Sequence, residues 1–156
     1  MKPRTYIETT ILSYLTARGT RDLVRAAEQE MTREWWDGRH TFDLFISQLV
    51  LSEAAAGDTD AAARRLLALQ EATILETTEE AIELGRYLIT AGGLPSKASA
   101  DALHIAIATV HGLDYLVSWN CTHIANARTR GKIEALCRQA GYNPAMLCTP
   151  MELMEE

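Results

Sequence analysis

The 156-residue sequence has few cysteines and no long apolar run. Its three cysteines, Cys121, Cys137 and Cys148, form neither a C-x-x-C pair nor a zinc-type spacing, so we expect buried or idle reduced thiols. No apolar stretch approaches the roughly 20 residues that a membrane span needs, and the start, "MKPRTY", lacks the apolar core of a signal peptide. We therefore expect a cytoplasmic protein with no membrane partner.

Basic residues are outnumbered by acidic ones, so the formal net charge is -6. The field of the whole surface therefore does not attract nucleic acid, and any such binding must be local. The segment "ARGTRDLVR" gathers Arg18, Arg21 and Arg25, and "NARTRGK" supplies a second basic cluster later in the chain. Each cluster fits either a solvated helix face or a local contact surface.

The sequence lacks the patterns of several common enzyme classes. No G-x-G-x-x-G or phosphate-loop pattern follows a predicted strand, which disfavours nucleotide-cofactor enzymes, and nothing resembles a nucleophile elbow. Proline is limited to 4 residues and hydrophobic residues make up 47%, so the composition is that of a compact globular chain. The length suits one domain, and we expect residues 1–156 to form it.

Strand and helix patterns alternate along the chain, which predicts an α/β fold with a mainly parallel sheet. The predicted strands lie in "RTYIE", "HTFDLFIS", "ATILET", "LDYLVSWN" and "PAMLCTP", and "CTHIANARTRGKIEALCRQAG" is predicted to be mostly helical. In the helix "TRDLVRAAEQEMTREWWDG", Leu23, Ala27, Met31 and Trp35 are four apart, so we expect this stripe to face the core. Trp36 lies off the stripe and is assigned to ordinary packing.

Four polar side chains occur where strands end or helices begin. Glu8 ends the first strand, Glu53 lies early in the helix after the second strand, Asp101 lies early in the helix before the fourth strand, and Asn120 follows that strand. Helix starts and strand ends share one edge of a right-handed parallel unit, so we expect these residues to converge there. Roles at strand ends, helix dipoles and turns stay open for each of them.

Asp101 is the most informative of the four. The segment "SADALHIAIA" predicts a helix buried nearly all round, where a carboxylate is costly unless it is paired or metal-bound. His104, one turn later, could pair with Asp101, although a satisfied core histidine is the simpler role. Clustered carboxylates without histidine or thiolate ligands are typical of sites for Mg²⁺ or Mn²⁺, ions that polarise phosphates and activate water.

Four segments, "YIETTILSYL", "SQLVLSEAAAGD", "ADALHIAIATVHGLDYLVSWN" and "HIANA", resemble the PIN-domain family in order and spacing, and especially the VapC-like toxins of type II toxin-antitoxin systems. The resemblance covers nearly the whole chain. It implies a three-layer α/β/α sandwich and a Mg²⁺- or Mn²⁺-dependent endoribonuclease, often a homodimer and often silenced by a cognate antitoxin. Carried over by motif, Glu8, Glu53, Asp101 and Asn120 match the family's four acidic positions in order.

Two of these positions depart from the usual family pattern. Glu8 stands where aspartate is usual, so its carboxylate reaches one methylene further. Asn120 stands where aspartate is common and is neutral, so the cluster carries roughly three negative charges instead of four. We therefore expect one tight metal or a weak pair of metals, with Asn120 acting through its amide oxygen.

The implied reaction is hydrolysis of an RNA phosphodiester at a metal held mainly by Glu8 and Asp101, with Glu53 holding the attacking water or a second ion. Two alternatives stay open. One is a PIN-fold binding module with weak or no nuclease activity, which the neutral Asn120 and the acidic surface favour. The other is a nuclease that acts on DNA or a small phosphohydrolase that uses the same ions.

Several residues are candidates for contact with the RNA. Thr9 or Thr10 could contribute a hydroxyl or backbone N-H, although helix capping explains both equally well. Arg18, Arg21 and Arg25 could contact the RNA backbone or receive acidic side chains of an antitoxin. His123, near Asn120, is the weakest of the candidates for a catalytic role.

Overall fold

The computed structural model describes residues 1–155 of the chain. Its strands are β1 (Arg4–Ile7), β2 (Asp43–Ser47), β3 (Thr73–Leu75), β4 (Tyr115–Val117) and β5 (Met146–Cys148). Its α-helices are α1 (Thr9–Thr16), α2 (Leu23–Asp37), α3 (Gln48–Ala54), α4 (Thr59–Ala68), α5 (Glu79–Thr90), α6 (Ser99–Val110) and α7 (Ala127–Gln139). Short 3-10 turns cover Arg39–Thr41, Ser96–Ala98 and Pro150–Leu153.

The five strands form one sheet in the order β3-β2-β1-β4-β5, and every neighbouring pair is parallel. The predicted α/β fold with a parallel sheet is thus confirmed. The chain moves from β1 outward to β2 and β3, then returns across β1 to β4 and β5. The connections therefore change direction between β1 and β4, and parallel sheets bind ligands at the carboxyl ends of strands at such a switch point.

The helices cover both faces of the sheet. Right-handed connections put helices on one face when the chain moves one way along the sheet and on the other face when it moves back. Accordingly α1 packs against α2, α3 and α4, whereas α5 packs against α6 and α7. The result is the three-layer α/β/α arrangement expected from the sequence.

The central strands are apolar because helices cover them on both sides. Tyr6 of β1 lies beside Phe45 of β2 and Leu116 of β4, and Tyr6, Ile7, Leu116 and Val117 are buried.

The longest helix in the described span, α2, has 15 residues, and no helix there is both long and apolar enough to cross a bilayer.

Polar side chains set the starts of several helices, as the sequence indicates. The Ser47 hydroxyl accepts the Val50 N-H at the start of α3, and the Asp22 carboxylate accepts the Arg25 N-H at the start of α2. The segment after β4 is mostly helical, as predicted, but its first part, "CTHIAN", forms turns, and α7 begins only after Asn126. Asn126 accepts the Arg128 N-H, and this cap favours a helix start at that point.

The predicted inward stripe of α2 is wrong in its first half. Leu23 is 85% exposed and Ala27 is exposed as well, whereas the buried residues of the helix are Gln29, Thr32 and Trp35. The spacing of apolar residues misleads here because two of the buried positions are polar and satisfied by hydrogen bonds. Gln29 donates to the Arg18 carbonyl, and Thr32 accepts from the indole N-H of a tryptophan that follows β4.

Candidate metal centre

The four predicted site residues lie near the carboxyl edge of the sheet, at the switch point between β1 and β4. Glu8 follows β1 and caps α1, and Glu53 is near the end of the short helix α3. Asp101 is in the first turn of α6, and Asn120 is three residues beyond β4. The geometry of each side chain shows which of them can serve a cation.

Glu8 is a buried carboxylate, only 4% exposed, held by hydroxyl and backbone donors. Its Oε1 accepts from the Ser118 hydroxyl at 2.6 Å, from the Thr10 N-H at 3.2 Å, and from the Thr10 hydroxyl. These donors offset the cost of removing the carboxylate from water. Its Oε2 accepts no hydrogen bond from the described part of the chain, so one oxygen remains available to a ligand.

Glu53 is held by two donors on its Oε1. The Thr9 hydroxyl lies 2.7 Å away and the Nε2 of His104 lies 2.6 Å away. Partial burial raises the pKa of Glu53, but the hydrogen bonds from His104 and Thr9 outweigh this effect, so the pKa lies below its ordinary value. Glu53 is therefore ionised at neutral pH, and its Oε2 has no donor among residues 1–155.

His104 is fully buried and contacts polar atoms through both ring nitrogens. Its Nδ1 is 2.7 Å from the Tyr6 hydroxyl, which is in turn 2.7 Å from the Ser47 hydroxyl. Burial raises the pKa of Tyr6 well above its ordinary value, so the phenol keeps its proton. The pairing of His104 with Asp101 that the sequence left possible does not form, because His104 turns toward Glu53 on α3. The simpler role, that of a hydrogen-bonded core histidine, is the one observed.

Asp101 pairs instead with His123, whose Nδ1 is 3.0 Å from its Oδ2. Its side chain is 21% exposed, less buried than the sequence of α6 suggests, because the continuously buried part of the helix begins only at His104. Glu8, Glu53 and His104 offer ligand atoms within 4.8 Å of one another, and Asp101 is not part of that cluster. It precedes His104 by about one helical turn on α6.

Asn120 organises the turn that follows β4. Its Oδ1 accepts the N-H groups of Thr122 at 3.2 Å and His123 at 3.0 Å, and its own N-H donates to the Ser118 hydroxyl. These contacts realise the turn-forming role that the sequence left open. The predicted metal role of Asn120 stays a prediction, and it would require the amide oxygen to share or release one of these N-H groups.

The donor set fits a hard divalent cation. Glu8 and Glu53 each leave their Oε2 without a protein donor, and Asp101 leaves its Oδ1 without one, as far as the described residues extend. Oxygen donors of this kind suit Mg²⁺ or Mn²⁺. Both ring nitrogens of His104, the third member of the cluster, lie within hydrogen-bond distance of protein oxygens.

An arginine-lined cavity of about 550 Å³ lies between α1, α2 and α4. Arg18 and Arg25 line it, as does Arg64, which the sequence did not single out; Arg21, a predicted RNA contact, is not among its lining residues. The fourth arginine in the wall, Arg65, is already committed to the carbonyls of two alanines at the end of α3. The cavity therefore concentrates positive charge in a chain of net charge -6.

An aromatic stack connects this cavity with the segment that leads to Asn120. The Arg25 guanidinium lies 5.1 Å from the centre of the Tyr14 ring, and Tyr14 stacks on Trp119 at 5.7 Å. Sequence analysis missed Tyr14 because an aromatic residue on an apolar helix looks like a core residue. It missed Ser118 and Tyr6 as partners of the site, since only the fold brings them to Glu8 and to His104.

Comparison with known proteins agrees with this arrangement. The family model of the PIN domain matches residues 5–120, which include β1 through β4 and all four predicted site residues. No curated protein matches the chain with significant similarity. PIN domains are generally metal-dependent nucleases that act on nucleic acids. The match spans most of the chain and agrees with the parallel five-stranded sheet, so the protein belongs to the PIN domain family.

Proposed function

We propose that the protein is a cytoplasmic, metal-dependent endoribonuclease, the toxin of a type II toxin-antitoxin pair, and that it hydrolyses RNA phosphodiesters. One observation carries the proposal: Glu8 and Glu53 approach within 4.8 Å at the switch point of a PIN fold, each with one free carboxylate oxygen. A pair of carboxylates in this position suits the binding of a cation that neutralises phosphate charge.

In the proposed reaction the carboxylates of the site and the residues that hold them have different roles. A bound Mg²⁺ or Mn²⁺ supplies Lewis-acid polarisation of the phosphate and acidification of the attacking water. Glu8 and Asp101 are the main ligands in the proposal, and Thr10 keeps the Glu8 carboxylate oriented by donating to its Oε1. Glu53, ionised at neutral pH, accepts a hydrogen bond from the attacking water or binds a second ion. His123 keeps Asp101 in place by its hydrogen bond.

The proposed substrate contacts lie along the arginine-lined cavity. Arg18, Arg25 and Arg64 form no ion pair with a carboxylate within the described residues, so their guanidinium groups are available for phosphates. Arg21 stays a candidate at the rim, since it belongs to the same segment but not to the lining. Thr9 is the weakest contact candidate, because its hydroxyl proton is donated to Glu53.

The proposal of a protein partner has its own support. Leu23 is 85% exposed and Val24 is 70% exposed, and both line an apolar groove of about 360 Å³ together with Met31, Trp119 and Met151. Apolar patches of this kind often mark protein interaction sites. The antitoxin and the homodimer are the two proposed partners, and sedimentation of the purified chain alone and with the product of the adjacent reading frame would distinguish them.

The first experiment is a cleavage assay on labelled RNA and DNA with Mg²⁺, with Mn²⁺ or with EDTA. Glu8→Gln and Asp101→Asn are compared with wild type, and Glu80→Gln, an exposed glutamate in the first turn of α5, is the matched control. We expect metal-dependent cleavage of RNA alone by wild type and the control, and none by the two site variants. Equal cleavage of DNA would replace the ribonuclease with a DNA nuclease.

A binding module is the second candidate function. It is favoured by Asn120, which is neutral and commits its amide oxygen to the turn after β4. If folded wild-type protein, free of any partner, cuts neither nucleic acid with either metal, this candidate replaces the nuclease. Restoration of cleavage by Asn120→Asp would then identify the missing charge as the cause.

A further inference from the structure

We propose that His104 is a positioning residue that orients the Glu53 carboxylate, and that it is not itself a metal ligand. This inference rests on the proposed metal-dependent activity. His104 lies close enough to Glu8 and Glu53 for its ring to count as a third ligand by distance alone. The hydrogen bonds around the ring assign it a different role.

The contact between His104 and Glu53 requires a proton on Nε2. Glu53 Oε1 already accepts a hydrogen bond from the Thr9 hydroxyl at 2.7 Å, so this carboxylate oxygen is the acceptor here. The Nε2 atom lies 2.6 Å from Oε1, so it must be the donor. A ring nitrogen that carries a proton has no lone pair to offer a cation. His104 therefore serves Glu53 and leaves cation binding to the carboxylates.

The other side of the ring is held by the two central strands. With the proton on Nε2, Nδ1 is the acceptor of the ring, and it lies 2.7 Å from the Tyr6 hydroxyl, which can donate to it. The Tyr6 oxygen can then accept from the Ser47 hydroxyl, whose oxygen in turn accepts the Val50 N-H. Each group in this buried chain has a partner, and the chain runs from β2 through β1 to α6. The strands thus hold the rotation of the His104 ring, and their hydroxyl groups are compatible with a proton on Nε2.

The consequence for Glu53 is a defined direction for its free oxygen. His104 and Thr9 both donate to Oε1, which leaves Oε2 as the oxygen that can face a cation or a water. Residues that hydrogen-bond to metal ligands fix ligand orientation, and their loss typically lowers metal affinity or activity by about 10- to 100-fold. We expect His104 to have an effect of this size through Glu53.

The test compares two amide replacements of His104. The amide nitrogen of glutamine can occupy the position of Nε2 and keep the donor to Glu53, whereas the shorter asparagine reaches only the position of Nδ1. We expect His104→Asn to weaken Mn²⁺ binding, measured by isothermal titration calorimetry, by about 10- to 100-fold, and His104→Gln to retain most of the affinity. Steady-state cleavage should show lower kcat with nearly unchanged KM for His104→Asn. Thermal melting of both variants establishes that they are folded.

Proton-detected nitrogen spectra of metal-free wild-type protein provide a readout that depends on neither metal nor RNA. We expect His104 to carry its proton on Nε2 and a lone pair on Nδ1. A proton on Nδ1 alone would overturn the inference, whatever the cleavage assay shows. Wild type that binds no Mn²⁺ and cuts no RNA would remove the proposed function, while the spectra would still decide the donor role of His104.

The variants add two further outcomes that would overturn the inference. One is wild-type Mn²⁺ affinity in folded His104→Asn; the other is an equal loss in folded His104→Gln and His104→Asn, because the donor would then be irrelevant. If both variants fail to fold, Tyr6→Phe removes only the hydroxyl from the chain. We expect that variant to broaden or shift the Nε2-H signal and to weaken Mn²⁺ binding, and no change in either would count against the proposal.

Discussion

Replacement of Ser118 by alanine tests how the buried Glu8 carboxylate is stabilised. The Ser118 hydroxyl is fully buried, donates to Glu8 Oε1 at 2.6 Å and accepts the Asn120 N-H at 2.9 Å. A hydrogen bond to a charged group contributes about 1.5–3 kcal/mol, and an ordinary one contributes about 0.5–1.5 kcal/mol. Part of the first term is retained, because Thr10 still donates to the same oxygen. We therefore expect Ser118→Ala to lower the free energy of unfolding by about 1–4 kcal/mol.

Urea denaturation in EDTA, followed by circular dichroism, measures this change without any metal. Ser13→Ala is the control, because Ser13 is exposed and donates only to a carbonyl within its own helix; we expect a change within about 0.5 kcal/mol for it. A loss below about 0.5 kcal/mol for Ser118→Ala would show that Thr10 alone satisfies Glu8 and would refute the reasoning. A loss that appears only with Mn²⁺ present would place the effect on metal binding instead.

Three further expectations concern charge, thiol reactivity and pH. Arg64→Gln should weaken RNA binding and reduce the slope of log affinity against log salt by about 0.7, whereas Arg86→Gln, on the opposite helical layer, should leave that slope unchanged in a filter-binding titration. Exposed Cys121 should react first with a thiol reagent, although partial burial raises its pKa. Burial raises the pKa of Cys148 to about 12 and should protect this thiol until the protein unfolds. Mass spectrometry after timed labelling would check the order of reaction. The fold lowers the pKa of Glu53, so the stability that its ionised carboxylate contributes is fully present above the ordinary glutamate pKa of 4.5. This contribution is lost as the pH falls from 4.5 through the pKa of Glu53 in the folded protein. In EDTA, the difference in free energy of unfolding between wild type and Glu53→Gln should therefore disappear over that pH interval.

Much of the architecture was predictable from local patterns. The five apolar segments between helical patterns predicted the strands of a parallel sheet. A strand that helices cover on both faces contains few polar residues, because their side chains would be removed from water. The positions of Glu8 and Asp101 relative to strand ends and helix starts predicted the edge on which they lie, since the handedness of parallel connections is nearly invariant. The resemblance of the motifs led to the family that the match over residues 5–120 supports.

The partners of the site residues were not predictable in the same way. The pairing of His104 with Glu53 and of Asp101 with His123 joins elements from distant parts of the chain, and helical spacing offered only His104 with Asp101, a pair that does not form. The exposed start of α2 was missed because burial depends on which neighbours a helix has, not only on its apolar stripe. Arg64 became a candidate only when the fold placed α4 beside α1 and α2.

Periodicity in the sequence was enough to predict the strands and helices in the order in which they follow along the chain. Short motifs indicated the family, and the handedness of parallel connections indicated the edge of the sheet where the acidic residues lie. Only the tertiary structure decided which oxygens stay free. The distance and angle of each hydrogen bond determine which carboxylate oxygen accepts it, and a different side-chain rotamer would direct the donor elsewhere. This holds for the donors Thr9, Thr10, Ser118 and His104. Local sequence patterns carry little information about most of these contacts, because Ser118 lies 110 residues from Glu8 and His104 lies 51 residues from Glu53. The contact of Thr10 with Glu8, two residues apart, is the local exception.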